Sequence, residues 1–582
     1  MFIREDVKWH ISKIEEKIIG AFTVPFMKLG NDADIRYRKV RRMKDLWVPM
    51  RDGVRLSADL YMPGDLEKAE TILIRMPYGK REPYCWMPAI GRFWAKRGYT
   101  CLIQDVRGRF ASEGEFIPFI HEIDDGYDTL QWITEQPWSN GKVGIAGESY
   151  YGYTSWAAAL AGHPALLCAA PSTTSMDIYN NWVYNNGAFC LQTMGMWGIY
   201  MDSKTYTNEY RIDLNHLPIR DMDTKAETPS RIYRQWMEHP YRDAYWDRIN
   251  LDRRAGEVKI PCLHIGGWYD VFLRSTYEDW KLVCEQAGTE EAKENQWLLL
   301  GPNDHEFTTD FTPKAGMIDL GKEGMMKRWD IMTRFFDHWL KDEDNGFEST
   351  PRVAYFIIGE NRWESSDTWP PKGTEVVPWH LSSGGHLVRG TEELTDPEYD
   401  EYTYDPADPV RWSEDIDLWY FARELKDRRS METRPDVLLY SGEPLQRNLT
   451  ITGNIKVLLF VSSDRKDTDF TAALTDVFPD GSCHLVQEGI LRARFRDGDG
   501  GPLLLEPGKI YPLTIDLWAS AYTFFAGHRV RLEVSSSNFS RFDRNTNTGK
   551  DPLQDSDPLP ARQKVFHSRE YPSVLLLPVR GK

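Results

Sequence analysis

The sequence predicts an α/β domain on a mostly parallel sheet, interrupted by a helical cap and followed by a β-sandwich of jelly-roll type. Three observations carry that prediction. Short apolar runs alternate with helical segments from Leu46 to about Ala170, and the pattern resumes at Ile260. The segment between them is rich in Trp, Tyr, Met and Asn and has no run of β-branched residues. Beyond about Ser349 helical periodicity stops, and short strands recur between Gly, Pro, Asn and Asp clusters. The boundaries that follow are a helical arm over 1–45, the α/β domain over 46–175 and 252–348, the cap over 176–251 and the β domain over 349–582.

Each element has its own local reason. Val7, Ile11, Ile14 and Ile18 recur at helical spacing and predict an amphipathic N-terminal helix. Residues 71–75 (TILIR), 99–105 (YTCLIQD) and 142–146 (KVGIA) read as buried strands. Between them, residues 124–134 read as a helix, with Tyr127, Leu130 and Ile133 on one face. Residues 260–265 (IPCLHI) and 297–300 (WLLL) are two more strands. Met325, Trp329, Met332, Phe336 and Trp339 step by four, three, four and three, which predicts an amphipathic helix ending near Asp344-Asn345-Gly346. In the β block, strands are expected over 352–358, 455–461, 470–477, 529–534 and 573–577, with turns at Pro479-Asp480-Gly481 and over 497–501.

Composition excludes several classes. The 582 residues suit about three domains. The formal net charge of −17 repels phosphate backbones and argues against nucleic-acid binding. No stretch approaches the ~20 apolar residues of a membrane span, and the acidic N-terminus does not read as a secretory leader. The seven cysteines are scattered and never form a CxxC pair, so buried free thiols in a reducing, cytoplasmic setting are expected. There is no H-E-x-x-H, P-loop or dinucleotide fingerprint, so no metal or cofactor is implied. Asp497 and Asp499 hint at a calcium loop, but Gly508 stands where its bidentate Glu is required. The 22 Trp, 28 Tyr and 25 Phe residues are an excess that composition alone does not explain.

The most informative segment is Gly147-Glu148-Ser149-Tyr150-Tyr151-Gly152, between a strand and a helix. A serine on such a turn is the nucleophile elbow of α/β-hydrolases. The final glycine comes one residue late, so a structural turn is the competing reading. A serine nucleophile needs a base and an orienting acid, each in a loop after a later strand. His305 follows 297–300 and Asp270 follows 260–265. His264 lies inside a strand and reads as core, His163 is too near the nucleophile helix, and Asp304 is too near His305 to orient it. Asp105 and Arg107 read as structural ion-pair residues. Glu148 is a substrate-contact candidate, with a structural ion pair as the alternative.

Together these residues resemble the cocaine esterase / X-prolyl dipeptidyl-peptidase family of serine hydrolases. Met76-Pro77-Tyr78-Gly79-Lys80 resembles the family's PY loop. Asp105-Val106-Arg107-Gly108-Arg109 with Ser112-Glu113-Gly114-Glu115-Phe116 resembles its DVRGxGxSxGxF signature, with Phe110 where glycine is frequent. The approach to the elbow from Gln136, the segment from His239-Pro240 to Trp246, Gly267-Trp268-Tyr269-Asp270 and Gly301-Pro302 before His305 match in order. The resemblance implies an α/β-hydrolase domain, a cap and a C-terminal jelly roll. It also implies Ser149 as nucleophile, Asp270 as acid and His305 as base. The oxyanion hole falls to the Tyr78 hydroxyl and the Tyr150 backbone N–H.

The expected reaction is cofactor-independent hydrolysis of a carboxylic ester. An amide substrate on the same triad is the alternative, although the peptidases of the family are usually longer at the N-terminus. A carbohydrate-binding β domain with Trp379, Trp412, Trp419 and Trp518 is a reading from another class. The cap aromatics Trp182, Phe189 and Trp197, and Trp268 in the acid loop, are candidate substrate contacts for a bulky or aromatic acyl group. The expected partner is a small ester or amide, with no nucleic acid or membrane; a homodimer is compatible with the sequence.

Overall fold

The computed structural model describes residues 29–30, 34–82, 85–206, 212–394, 398–411, 417–498 and 501–581. The helix expected over Val7–Ile18 and the candidate Trp412 lie outside the described residues.

The α/β domain is a ten-stranded sheet. Its strands are β1 (Val40–Pro49), β2 (Arg55–Pro63), β3 (Ala69–Met76), β4 (Thr100–Asp105), β5 (Ser139–Glu148), β6 (Leu166–Ser172), β7 (Cys262–Tyr269), β8 (Gln296–Asp304), β9 (Val353–Ile357) and β10 (Arg362–Ser366). They lie in the order β1-β2-β4-β3-β5-β6-β7-β8-β9-β10. Pairing is parallel from β4 through β9 and antiparallel at both edges. Strands β4 and β8 are buried along their whole length and β3 at every residue but Glu70, as expected where helices cover both faces. The main helices are α1 (Met87–Lys96), α2 (Glu122–Thr134), α3 (Ser149–Ala161), α4 (Leu273–Gln286) and α5 (Arg328–Lys341).

Two boundaries differ from the sequence reading. The sequence places residues 352–358 in the β block, yet β9 adds in parallel to β8 and extends the hydrolase sheet past 348. A short apolar strand carries no signal of which sheet it joins. Met325 lies before α5 rather than on it and is 38% exposed, because the helix starts only at Arg328.

The cap is made of short helical pieces. Two π-helical turns, Tyr179–Val183 and Leu191–Gly195, flank a two-rung hairpin, and helices Met196–Met201 and Arg231–Glu238 follow. The C-terminal domain is a mostly antiparallel β-sandwich. Its longest strand, Leu449–Ser463, alternates in burial over its middle, from Gly453 to Val461, and is buried at Ile451–Gly453 and Val461–Ser463. Strands Asp469–Val477, Cys483–Arg492 and Arg529–Ser535 pair beside one another. All seven cysteines are free; Cys85, Cys190 and Cys284 are only partly buried, a departure from the expectation of uniform burial. Among the described residues no helix is long and apolar enough to cross a membrane.

Candidate active site

The elbow follows from backbone geometry. Strand β5 ends in extended conformation at Glu148, and α3 begins at Ser149. Ser149 itself has φ +57, a left-handed conformation that costs a non-glycine residue energy and exposes its side chain at the turn. Two glycines make this possible. A Cβ on Gly147 would lie 1.9 Å from the Tyr151 carbonyl oxygen. One on Gly152 would lie 2.7 Å from Thr174 Cβ. The glycine at 152 serves contact with the end of β6, so the late position does not spoil the turn. Thr174 Oγ1 donates to the Ser149 carbonyl at 2.8 Å and ties the elbow to the same strand end.

The acid and base come from neighbouring strand ends. Gly267 lets β7 approach β8, since a Cβ there would meet the Asn303 oxygen at 2.1 Å. Asp270 follows β7, His305 follows β8, and His305 Nδ1 lies 2.8 Å from Asp270 Oδ1, with both residues buried. Burial alone pushes the imidazole pKa down; the Asp270 carboxylate outweighs it and holds His305 above 6.5. The ring is packed by Trp419 at 4.8 Å and Phe272 at 5.1 Å. Asp304 is occupied elsewhere, accepting from the Thr308 N–H at 2.9 Å. His264 is buried and shares a 3.0 Å contact with Gln296.

Tyr78 stands just past β3. Its hydroxyl accepts a hydrogen bond from Trp197 Nε1 at 3.2 Å, and Tyr78 lines the same cleft as Ser149. Burial raises the phenol pKa from its ordinary value of 10, so it remains a neutral donor. The Tyr150 N–H belongs to the first turn of α3, where amides lack helical acceptors. Its side chain points away, donating to Glu122 Oε1 at 2.9 Å and accepting from the Phe119 N–H at 2.8 Å.

Ser149, His305 and Tyr78 line one cleft of about 590 Å³, including its open mouth. Glu148 lies in its wall, with Oε1 2.7 Å from Arg328 Nη1. Arg328 is buried, packs over Phe307 and also faces Asp310 at 3.4 Å. Burial lowers its pKa, but the two carboxylates outweigh this and raise it.

The aromatic candidates separate. Trp197 reaches Tyr78, and Trp182 stacks on Phe272 at 4.5 Å, one ring from His305. None of the four aromatic candidates lines this cleft: Trp182 and Trp197 stand behind His305 and Tyr78, and Phe189 and Trp268 point elsewhere. Phe189 packs on Tyr184 and Tyr233 in the cap, and Trp268 donates its N–H to the Phe356 carbonyl at 2.7 Å. Aromatic density in the sequence did not reveal which way each ring points. Trp379 and Trp518 are buried and Trp419 packs on His305, so these three form no exposed stacking platform for a sugar. Asp105 pairs with Lys80 at 2.8 Å and Arg107 with Asp125 at 2.6 Å, as structural ion pairs.

Other cleft walls were not identified from the sequence. Cys85 and Trp86, Glu306, and Arg328 with Trp329 come from three separate segments. Trp329 carried a helical signal, but one that reads equally as core.

A sequence model described as X-Pro dipeptidyl-peptidase (S15 family) matches residues 52–306, and one described as the X-Pro dipeptidyl-peptidase C-terminal non-catalytic domain matches 345–576. The chain is 33% identical over 575 residues to cocaine esterase of Rhodococcus sp. (strain MB1 Bresler), across 92% of this chain and 98% of that protein. It is similar to the solved structure of an α-amino acid ester hydrolase, with 26% identity and a TM-score of 0.83. It is also similar to an aminopeptidase from the marine sediment archaeon Thaumarchaeota archaeon, with 25% identity and a TM-score of 0.82. Both likenesses cover 95% of this chain and 98% of the other.

Proposed function

The chain belongs to the cocaine esterase / X-Pro dipeptidyl-peptidase (S15) family, and from that premise we propose that it hydrolyses carboxylic esters through Ser149, His305 and Asp270. The observation that carries this reading is the buried Asp270–His305 hydrogen bond beside a cleft that also holds Ser149 at positive φ. In the proposed reaction, His305 takes the Ser149 proton as Oγ attacks the acyl carbon. Asp270 orients the imidazole and stabilises its cation. Tyr78 and the Tyr150 N–H hold the oxyanion. His305 then protonates the departing alcohol. Water, deprotonated by His305, attacks the acyl-enzyme and releases the acid and Ser149.

An aromatic acyl group is favoured by the rings of Trp86, Tyr151 and Trp329 in the cleft wall. An ester is favoured over an α-amino amide because Glu148 is tied to Arg328 rather than presented to an amine. Seven free thiols support a reducing, cytoplasmic setting.

Ser149→Ala is expected to abolish turnover of p-nitrophenyl esters without changing the melting midpoint. A fluorophosphonate that labels a different serine overturns the nucleophile assignment. Matched ester and amide pairs test the substrate class; comparable amide turnover transfers the reading to an amidase or dipeptidyl peptidase.

A further inference from the structure

Trp197 was a candidate substrate contact, yet its polar atom is engaged with the protein. Its Nε1 lies 3.2 Å from Tyr78 Oη, and both residues are buried. Indole is a donor only. The hydrogen bond therefore fills a lone pair of the phenol oxygen and leaves the phenol's single proton outside this contact. An acceptor at the same place would have drawn that proton away from the nucleophile. Donation into Oη also polarises the O–H and strengthens it as a donor, by about 10–30% per linked bond.

The cap holds this loop at a second point. Tyr206 Oη donates to the Tyr78 carbonyl at 2.6 Å. The Trp197 ring is itself fixed, stacked on Trp236 with centroids 5.9 Å apart and on Tyr150 at the same distance. It thus touches both residues assigned to the oxyanion hole, one through its N–H and one through its face.

The geometry points to Trp197 as a positioning residue: its indole N–H orients the Tyr78 hydroxyl toward the oxyanion, so the cap completes the hole. This rests on the reading of Tyr78 as an oxyanion donor. Losing such a donor outright costs about 10²–10³ in kcat, so misaiming it should cost about tenfold.

The test is a double-mutant cycle on the full chain with a p-nitrophenyl ester. Trp197→Phe keeps a stacking ring and removes the N–H. It is expected to lower kcat about tenfold with KM within about twofold. In a Tyr78→Phe background the same change is expected to alter kcat less than about twofold. If Trp197→Phe lowers the melting midpoint, benzothienylalanine at position 197 replaces only N–H by sulfur and takes its place. An unchanged kcat overturns the inference. So does an equal loss in both backgrounds, which would mean that the ring acts through pocket shape. Tyr78→Phe alone tests the underlying reading: full activity there overturns the oxyanion assignment itself.

Discussion

Gly147→Ala is the sharpest probe of the elbow. The added Cβ would stand 1.9 Å from the Tyr151 oxygen, 2.3 Å from its carbonyl carbon and 2.8 Å from the Gly152 nitrogen. All three are backbone atoms, so no rotamer change relieves the clash. Ordinary contact begins at 3.4 Å, which requires a displacement of about 1.5 Å. The Tyr151 carbonyl is held in place by Ser155 Oγ at 2.9 Å and Thr154 Oγ1 at 3.0 Å. The elbow must therefore open, and Ser149 lies between its two sides. Misplacing a reacting group by about 1 Å costs roughly 10²-fold, and overpacking costs about 1–3 kcal/mol. The expected result is a fall of at least about 10²-fold in kcat and in fluorophosphonate labelling rate, with a chain that still folds. Gly126→Ala is the control. Gly126 lies in α2 and its Cβ would meet Ala158 and Arg75 at 3.5 Å, ordinary contact. It should leave kcat unchanged and cost nothing, or stabilise by up to about 1 kcal/mol. Gly147→Ala within fivefold of wild type, or Gly126→Ala equally damaging, would refute the reasoning.

Two further predictions concern charge. In the proposed mechanism neutral His305 is the base, and its pKa is raised from the ordinary 6.5; kcat/KM should therefore fall as pH drops through a value above 6.5. Asp270→Asn should lower kcat by about 10³–10⁴ and move that limb to lower pH, as pH–rate profiles would read directly. Glu148→Gln leaves buried Arg328 with Asp310 alone at 3.4 Å. The loss should be about 1–3 kcal/mol, below the 3–5 typical of a fully buried pair because the Glu148 side chain is 21% exposed. Chemical denaturation measures it, and Arg328→Met in the same chain should restore part of it.

Sequence reasoning worked where one local pattern encodes one element. Residues 142–146 read as a strand because they are a short apolar run, and the glycines around Ser149 marked a tight turn. Asp270 and His305 are legible as candidates because each follows a strand in the chain order such a nucleophile requires, and the fold places them 2.8 Å apart. The cleft wall was not legible for a different reason. Trp86, Glu306 and Arg328 lie far apart in sequence, and only the sheet order brings them together. Phe189 and Trp268 show the converse. Their residue type suits a pocket, but side-chain direction is set by tertiary packing, which turns Phe189 into the cap core and Trp268 onto Phe356.

Each half of the site is fixed from outside the hydrolase sheet. The Tyr78 loop is held by the cap, through Trp197 on its hydroxyl and Tyr206 on its carbonyl. The acid and base loops are held by the β domain. Gln487 donates to the Trp268 carbonyl at 2.7 Å, two residues before Asp270. Tyr269 Oη lies 3.1 Å from His484 Nε2, and burial pushes that imidazole down to about 3, so it stays neutral. Trp419, from the segment beyond the hydrolase sheet, covers the His305 ring. A hydrolase sheet by itself would carry Ser149, Asp270 and His305 in its loops without these restraints. The two added units therefore do more than wall a pocket: one restrains the Tyr78 loop, and the other restrains the loops that carry Asp270 and His305.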